Sequence, residues 1–254
     1  MKRRDFIKNG LIFAGGMTIS LSALEILTPK ALASITHSTK KRWGFVVDIN
    51  KCIGCGMCVK ACKTENEVPF EAKVSRTWVE RYIQLKSGEL IIDAPNEARY
   101  GYTKNNPYGR EIEESEITQG FFVPKLCNQC DKPSCVQVCP VGATYKTEDG
   151  VSMVDRSWCV GCGYCVQNCP YGARFIHPKA NTAEKCNFCY HRITKGMKSA
   201  CVEACAFGAR KIGMVNDPDS EVHKIITTQK VAVLKPEYGN EPHVFYLGLN
   251  HLVK

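Results

Sequence analysis

Sixteen cysteines in four quartets, with none left over, constrain this 254-residue chain more than any other feature. The first quartet is Cys52, Cys55, Cys58 and Cys62, spaced C-x2-C-x2-C-x3-C, and the third, Cys159, Cys162, Cys165 and Cys169, repeats that spacing. The second, Cys127, Cys130, Cys135 and Cys139, has a longer middle gap. The fourth, Cys186, Cys189, Cys201 and Cys205, holds its inner pair eleven residues apart. Cysteine at this density serves disulfides, zinc or iron–sulfur clusters, and only spacing separates them. A disulfide scaffold belongs to short secreted chains, and this one is too long and too regular. Zinc takes two well-separated pairs, each C-x2-4-C. The second and fourth quartets alone satisfy that rule, but three cysteines within seven residues crowd one tetrahedral ion in the first and third. A zinc-binding structural module is therefore the weaker reading.

Three thiolates at i, i+3 and i+6 wrap a tight loop around one face of a cubane, one for each iron corner. Gly54, Gly56, Gly161 and Gly163 allow that loop to turn and bring backbone N–H groups toward the sulfurs. Such hydrogen bonds help set a reduction potential. The fourth cysteine sits at the opening of a helix and points away from the first cube. Cys139-Pro140 and Cys169-Pro170 reproduce the C-P ending of bacterial ferredoxins, whereas Lys63 and Ala206 depart from it. Four [4Fe–4S] clusters, with all sixteen cysteines as iron ligands, are the expected cofactors.

Gly44 to Ile49 and Val151 to Asp155 read as short strands feeding cluster loops, and Glu148-Asp149-Gly150 predicts a hairpin over 143–155. A strand over Thr77 to Leu85, a turn at Ser87-Gly88 and a strand over Leu90 to Asp93 occupy the long interruption between the first two quartets, followed by a Tyr/Asn/Pro/Gly-rich loop from Tyr100 to Arg110. The predicted fold is α+β, two interleaved bacterial-ferredoxin-like modules with long insertions. The outer module is 34–62 with 180–215, the inner module 127–179, the insertion 63–126, and 216–254 a C-terminal docking arm or cap.

Residues 1–33 read as an export signal. Lys2-Arg3-Arg4-Asp5-Phe6-Ile7-Lys8 precedes a moderately apolar run from Leu11 to Leu24 and the small-x-small site Ala31-Leu32-Ala33. The paired arginines give it a twin-arginine appearance. A membrane anchor fits less well, because the run is short of the roughly 20 apolar residues a span needs and contains Thr18, Ser20, Ser22 and Glu25. Export of folded protein lets clusters be inserted in the reducing cytoplasm, so the thiols reach an oxidising compartment as ligands. A periplasmic protein, membrane-associated only through a partner, is expected.

The net charge of +9 does not point to nucleic acid. Five Lys/Arg against Asp5 and Glu25 place three of those charges in the first 33 residues, and the rest are interspersed with acids such as Glu111 to Glu116. The six histidines lack ligand spacing and are expected as surface or packing residues. Neither a Gly-rich nucleotide loop nor a nucleophile–base pairing occurs, so no active site is expected in this chain.

Cys52-Ile-Gly-Cys-Gly-Met-Cys, Leu126-Cys-Asn-Gln-Cys-Asp-Lys-Pro, Cys159-Val-Gly-Cys-Gly-Tyr-Cys and Thr182-Ala-Glu-Lys-Cys-Asn-Phe-Cys carry a resemblance along the whole chain. It resembles the four-cluster ferredoxin-like beta subunits of the molybdopterin (dimethyl sulfoxide reductase) superfamily. Val233-Leu-Lys-Pro-Glu-Tyr-Gly and Pro242-His-Val-Phe-Tyr-Leu-Gly-Leu are most similar to the tetrathionate reductase type. That resemblance implies an electron-transfer role linking a membrane quinol-oxidising subunit to a molybdopterin catalytic subunit, in anaerobic respiration. A free-standing periplasmic polyferredoxin is the alternative. As in two-cluster ferredoxins, the quartets are expected to exchange their last ligands. Cys127, Cys130, Cys135 and Cys169 would then hold one cube and Cys139, Cys159, Cys162 and Cys165 another. Cys52, Cys55, Cys58 and Cys205 would hold a third, and Cys62, Cys186, Cys189 and Cys201 a fourth. The hairpin at 143–155 and the resemblance favour this inner and outer pairing.

Overall fold

The computed structural model describes residues 41–102 and 112–253. The expected export signal lies outside the described residues, as does most of the loop from Tyr100 to Arg110.

A four-stranded sheet forms one end of the core, in the order β10-β11-β1-β9. Here β1 is Trp43–Asp48, β9 Arg210–Met214, β10 Val231–Ala232 and β11 Val244–Leu247. The run Trp-Gly-Phe-Val-Val-Asp is apolar on both faces, as suits a strand with neighbours on either side and layers above and below. Phe45 and Val47 enter the larger core with Phe188 and Tyr246, whereas Val46 and Phe245 pack on the opposite side against a helix, α6 (Glu221–Thr228). Val222, Ile225 and Ile226 supply the buried stripe of α6, at the i, i+3, i+4 spacing of a single helical face.

Within the tail expected as a docking arm or cap, one strand is internal. That strand, β11, runs parallel to β1, with Phe45 opposite Val244 and Asp48 opposite Leu247, and all four β11 residues are buried. Just ahead of it, His243 N–H donates to the Asn128 carbonyl at 2.9 Å, and Asp131 N–H donates to the Glu241 carbonyl at 2.8 Å. The segment therefore braces the second cysteine loop against the four-stranded sheet. A burial argument explains why: four consecutive apolar residues have no solvated face to present, so the strand is stable only between other layers.

The insertion forms its own antiparallel sheet, β3-β2-β4, from β2 (Thr77–Leu85), β3 (Leu90–Asp93) and β4 (Ile117–Leu126). The turn between β2 and β3 falls where Ser87-Gly88 predicts it, with Gly88 at φ +86°. Pro124 sits in β4, which is an edge strand where a missing N–H costs no ladder bond.

Strand pairing links the cysteine quartets in a repeating way. The strand after the second quartet, β5 (Thr144–Lys146), pairs with β6 (Ser152–Val154) ahead of the third. The predicted hairpin closes with Asp155 N–H on the Ala143 carbonyl at 2.7 Å. The strand after the third quartet, β7 (Arg174–Ile176), pairs with β8 (Ala183–Lys185) ahead of the fourth. After the fourth, β9 pairs antiparallel with β1, ahead of the first. Strand β8 belongs to the 180–215 segment yet pairs with β7, so the inner and outer modules share a hairpin and no linker separates them. Helices pair in the same two sets. The first, α1 (Met57–Glu65), packs against α5 (Ala200–Glu203), and α2 (Ser134–Gln137) packs against α3 (Tyr164–Gln167). A single turn, α4 (Tyr190–Ile193), follows Cys189 directly.

Candidate iron–sulfur sites

The first quartet's loop is shaped by its glycines. Gly56 caps α1 at φ +74°, and a Cβ there would run into the Ala98 carbonyl. Only glycine combines that backbone conformation with so close an approach. Gly163 plays the equivalent role at α3, at φ +78°, with open space around it.

Two cavities bring together cysteines far apart in sequence. One is lined by Cys52, Cys55, Cys58 and Cys205, with Ile53, Phe207 and Arg210 in its wall. The other is lined by Cys62, Cys186, Cys189 and Cys201, with Phe45, Phe188 and Arg76 around them. The first and fourth quartets thus each give three thiols to one cavity and one to the other. In the inner module Cys130 faces Cys127, Cys135 and Cys169. The remaining four are more open: Cys162 is exposed, Cys139 and Cys159 are half-buried, and only Cys165 is buried.

The thiols are matched to a polynuclear metal group by their electrostatics. Burial pushes the Cys58 thiol up to about 11, with neighbouring Cys201, Cys52 and Cys55 adding to the effect while Arg210 opposes it. Burial likewise raises the Cys62 and Cys186 thiols well above their usual range, each crowded by three other thiols. Several buried thiolates within reach of one another are untenable unless a cation neutralises them, and bound metal deprotonates its thiol ligands outright. Three such convergences account for twelve thiols, and the four more open ones complete a set of sixteen that fits four clusters.

Donors to sulfur are already in place. Ala183 N–H donates to Cys159 Sγ at 3.2 Å and Phe188 N–H to Cys186 Sγ at 3.4 Å. Asn66 Nδ2 lies 3.5 Å from Cys62 Sγ and 3.9 Å from Cys189 Sγ, so one side chain serves both outer quartets. At Cys139 burial alone raises the thiol, but the amides of Thr144, Val141 and Ala143 and the Thr144 hydroxyl outweigh it and hold the thiol below its usual range.

Buried cations are the functional residues that sequence reasoning missed. Arg76 donates to Asn66 Oδ1 at 2.6 Å and Asn187 Oδ1 at 3.0 Å, and pairs with buried Glu184 at 2.9 Å. Lys185 is buried between the Ser152 and Cys186 carbonyls, which its ammonium bonds. Lys63, where two other quartets carry proline, is also buried. Its Nζ donates to the carbonyls of Ala72 (2.7 Å), Val74 (2.8 Å), Phe70 (3.2 Å) and Pro69 (3.4 Å). The departure from the C-P ending at Lys63 thus gathers the 69–74 loop over the helix that carries Cys62. Burial of His177 and His243 agrees with a packing role for these two histidines.

Comparison with known proteins converges on the same chemistry. Two 4Fe-4S dicluster domain models match, one over residues 51–143 and one over 118–215. The B subunit of tetrathionate reductase from Salmonella typhimurium is 39% identical over 251 residues, covering 98% of this chain and 88% of the relative. The Archaeoglobus fulgidus protein of the same name is 42% identical, covering 86% of this chain and 91% of the relative. The B polypeptide of polysulfide reductase from Wolinella succinogenes is 33% identical over 81% of this chain and 93% of its own length.

Proposed function

The protein belongs to the family of iron–sulfur beta subunits of the molybdopterin oxidoreductases, and we propose that it relays single electrons along four [4Fe–4S] clusters between two larger partners. The observation that carries the reading is the pair of cavities in which the first and fourth quartets each surrender one thiol to the other. In the ligand assignment we draw from it, Cys52, Cys55, Cys58 and Cys205 hold one cluster and Cys62, Cys186, Cys189 and Cys201 a second. Cys127, Cys130, Cys135 and Cys169 hold a third, and Cys139, Cys159, Cys162 and Cys165 the fourth. When bound, such clusters supply one-electron couples whose potentials depend on their surroundings. The protein's part is to hold the thiolates, to aim amides such as those of Ala183 and Phe188 at them, and to keep water away with Phe45 and Phe188.

A relay needs a contact at each end. Large apolar side chains are exposed beside cysteines in two places: Ile53, Met57 and Phe207 around the Cys52 site, and Trp158, Val160 and Tyr164 around Cys159 to Cys165, with Trp158 67% exposed. Exposed apolar groups collected at two sites suit two docking faces. The partners are a molybdopterin catalytic subunit and a membrane quinol-oxidising subunit, of a tetrathionate or polysulfide type of respiratory reductase, as the names of the relatives suggest. Among the described residues no helix is long and apolar enough to cross a membrane. Delivery to the periplasm by a twin-arginine signal rests on Arg3, Arg4 and Phe6.

The test is Cys205→Ser in anaerobically purified full chain, with iron and sulfide assayed beside paramagnetic resonance. Unmutated protein should carry about sixteen of each per chain. The substitution should perturb the cluster of Cys52, Cys55 and Cys58 and spare that of Cys186, Cys189 and Cys201. Stoichiometric zinc without sulfide would sink the cofactor reading, and damage confined to the Cys186 cluster would sink the exchange of ligands.

A further inference from the structure

The last cysteines of the third and fourth quartets open the same sequence: Cys169-Pro-Tyr-Gly-Ala-Arg174 and Cys205-Ala-Phe-Gly-Ala-Arg210. The backbone repeats with it. Gly172 and Gly208 have φ of +61° and +63°, and each N–H donates to the carbonyl of its quartet's last cysteine, at 3.2 and 3.1 Å. Ala173 and Ala209 are buried, and the arginines open β7 and β9.

Both arginines are buried, 4% and 2% exposed, and both donate to a threonine hydroxyl. Arg174 Nη1 donates to Thr144 Oγ1 at 3.2 Å, and Arg210 Nη2 donates to Thr77 Oγ1 at 3.0 Å. Among the described residues, Nε and Nη2 of Arg174 and Nη1 of Arg210 have no oxygen or nitrogen acceptor, and Arg174 instead bonds the sulfurs of Cys165 and Cys135. Among the described residues no carboxylate forms an ion pair with either guanidinium, although Arg76 is paired with Glu184 and Arg99 with Glu71 and Glu97. A fully buried cation without a counter-charge is among the costliest things a fold can contain, and orphaned donors add to that cost. Two copies of the arrangement, at equivalent places, call for an anion at each.

What the guanidinium groups face is sulfur. Arg210 lies in the wall of the Cys52 cavity and faces Cys58, Cys201 and Cys52. Arg174 faces Cys135, Cys127 and Cys165. Under the ligand assignment proposed above, on which this inference rests, each arginine faces thiols of both clusters in its own module. A cubane held by four thiolates is anionic and becomes more so on taking up an electron, so a fixed neighbouring cation favours the reduced form.

We propose that Arg174 and Arg210 are the shared counter-cations of the inner and outer cluster pairs, each raising the reduction potentials of the two clusters in its own module. Their glutamine analogues keep the shape and remove the charge. The experiment is redox titration followed by paramagnetic resonance on the purified full chain. Outer signals are assigned by their response to Cys205→Ser and Cys62→Ser, and inner signals by Cys169→Ser and Cys139→Ser. Arg210→Gln should lower the reduced-to-oxidised ratio of both outer clusters at least tenfold at fixed potential, about 59 mV for a one-electron couple, and leave the inner pair within about twofold. Arg174→Gln should do the reverse, and Arg→Lys at either place should stay within about threefold. Uniform shifts in all four clusters, shifts below twofold, or a lysine variant as low as the glutamine one overturn the proposal. Should a glutamine variant fail to assemble, the lysine variant decides alone: full loading with a small shift supports the counter-charge, and failed loading or a tenfold fall overturns it. Iron and sulfide contents of the unmutated chain test the cofactor reading, and Cys205→Ser the ligand assignment, separately, so sixteen iron atoms and the expected Cys205→Ser damage without any arginine effect would remove this inference and leave the relay standing.

Discussion

Replacing Lys63 with methionine removes a charge that the fold has enclosed almost completely, with 1% of the residue exposed. The side chain's length and flexibility are kept, so the change isolates the ammonium. Two of its four carbonyl bonds are short, at 2.7 and 2.8 Å, and two are longer, at 3.2 and 3.4 Å. A hydrogen bond from a charged donor contributes about 1.5–3 kcal/mol, so the two short bonds alone amount to roughly 3–6 kcal/mol before desolvation is counted. Against this stands the cost of burying the ammonium, which is felt in the lowering of its pKa by burial, opposed by Glu97. Removing one side of such a buried charged arrangement typically costs about 3–5 kcal/mol, because the carbonyls of 69–74 are left facing a thioether. At about 2–4 °C per kcal/mol for a chain of this size, the apparent melting midpoint should fall by roughly 6–20 °C. Heating releases iron irreversibly, so the comparison is made at one scan rate, following ellipticity and the visible cluster absorbance together. Glu97→Gln is the control. Its carboxylate lies 3.7 Å from Nζ and 3.2 Å from Nη1 of Arg99, which keeps Glu71 as a second partner, so its loss should cost about 2 kcal/mol at most for the two partly exposed pairs together. A midpoint for Lys63→Met within about 3 °C of the unmutated chain would show that the 69–74 loop holds itself without the lysine.

Gly56→Ala should cost at least about 2 kcal/mol, since a left-handed residue bears about 1–2 kcal/mol and the new methyl must also displace the Ala98 carbonyl. Gly163→Ala, with the same sign of φ and nothing near its Cβ, should cost only the first part. Denaturant midpoints and iron per chain would report both, and equal losses at the two sites would refute the role given to the close approach. Changing Arg3 and Arg4 together to lysine should leave folded, coloured protein in the cytoplasm, measured by fractionation. Normal periplasmic levels of the chain expressed without its partners would overturn the export reading.

Cysteine spacing by itself determined the cofactor. Three thiols at three-residue intervals can reach three corners of a cube, and that is a local property of a short loop, complete once the residues are named. The hairpins at 143–155 and 77–93 were legible for the same reason: turn residues such as Gly88 and Gly150 act within a few positions of themselves. The partners of Cys62 and Cys205 were of another kind. Spacing gives each quartet a fourth cysteine but says nothing of which distant loop it faces, and the ferredoxin resemblance supplied the expectation that the structure's two outer cavities now support. The apolar run Val244 to Leu247 was visible as a strand former but not as the parallel neighbour of β1, because pairing across nearly 200 residues leaves no trace in either segment. Least legible were the cations. Lys63, Arg174 and Arg210 look in sequence like ordinary surface residues, and only tertiary packing makes them buried. Their signal was present in the repeated Gly-Ala-Arg after Cys169 and Cys205, but a repeat acquires physical meaning only when the fold shows both copies directed at the same chemistry.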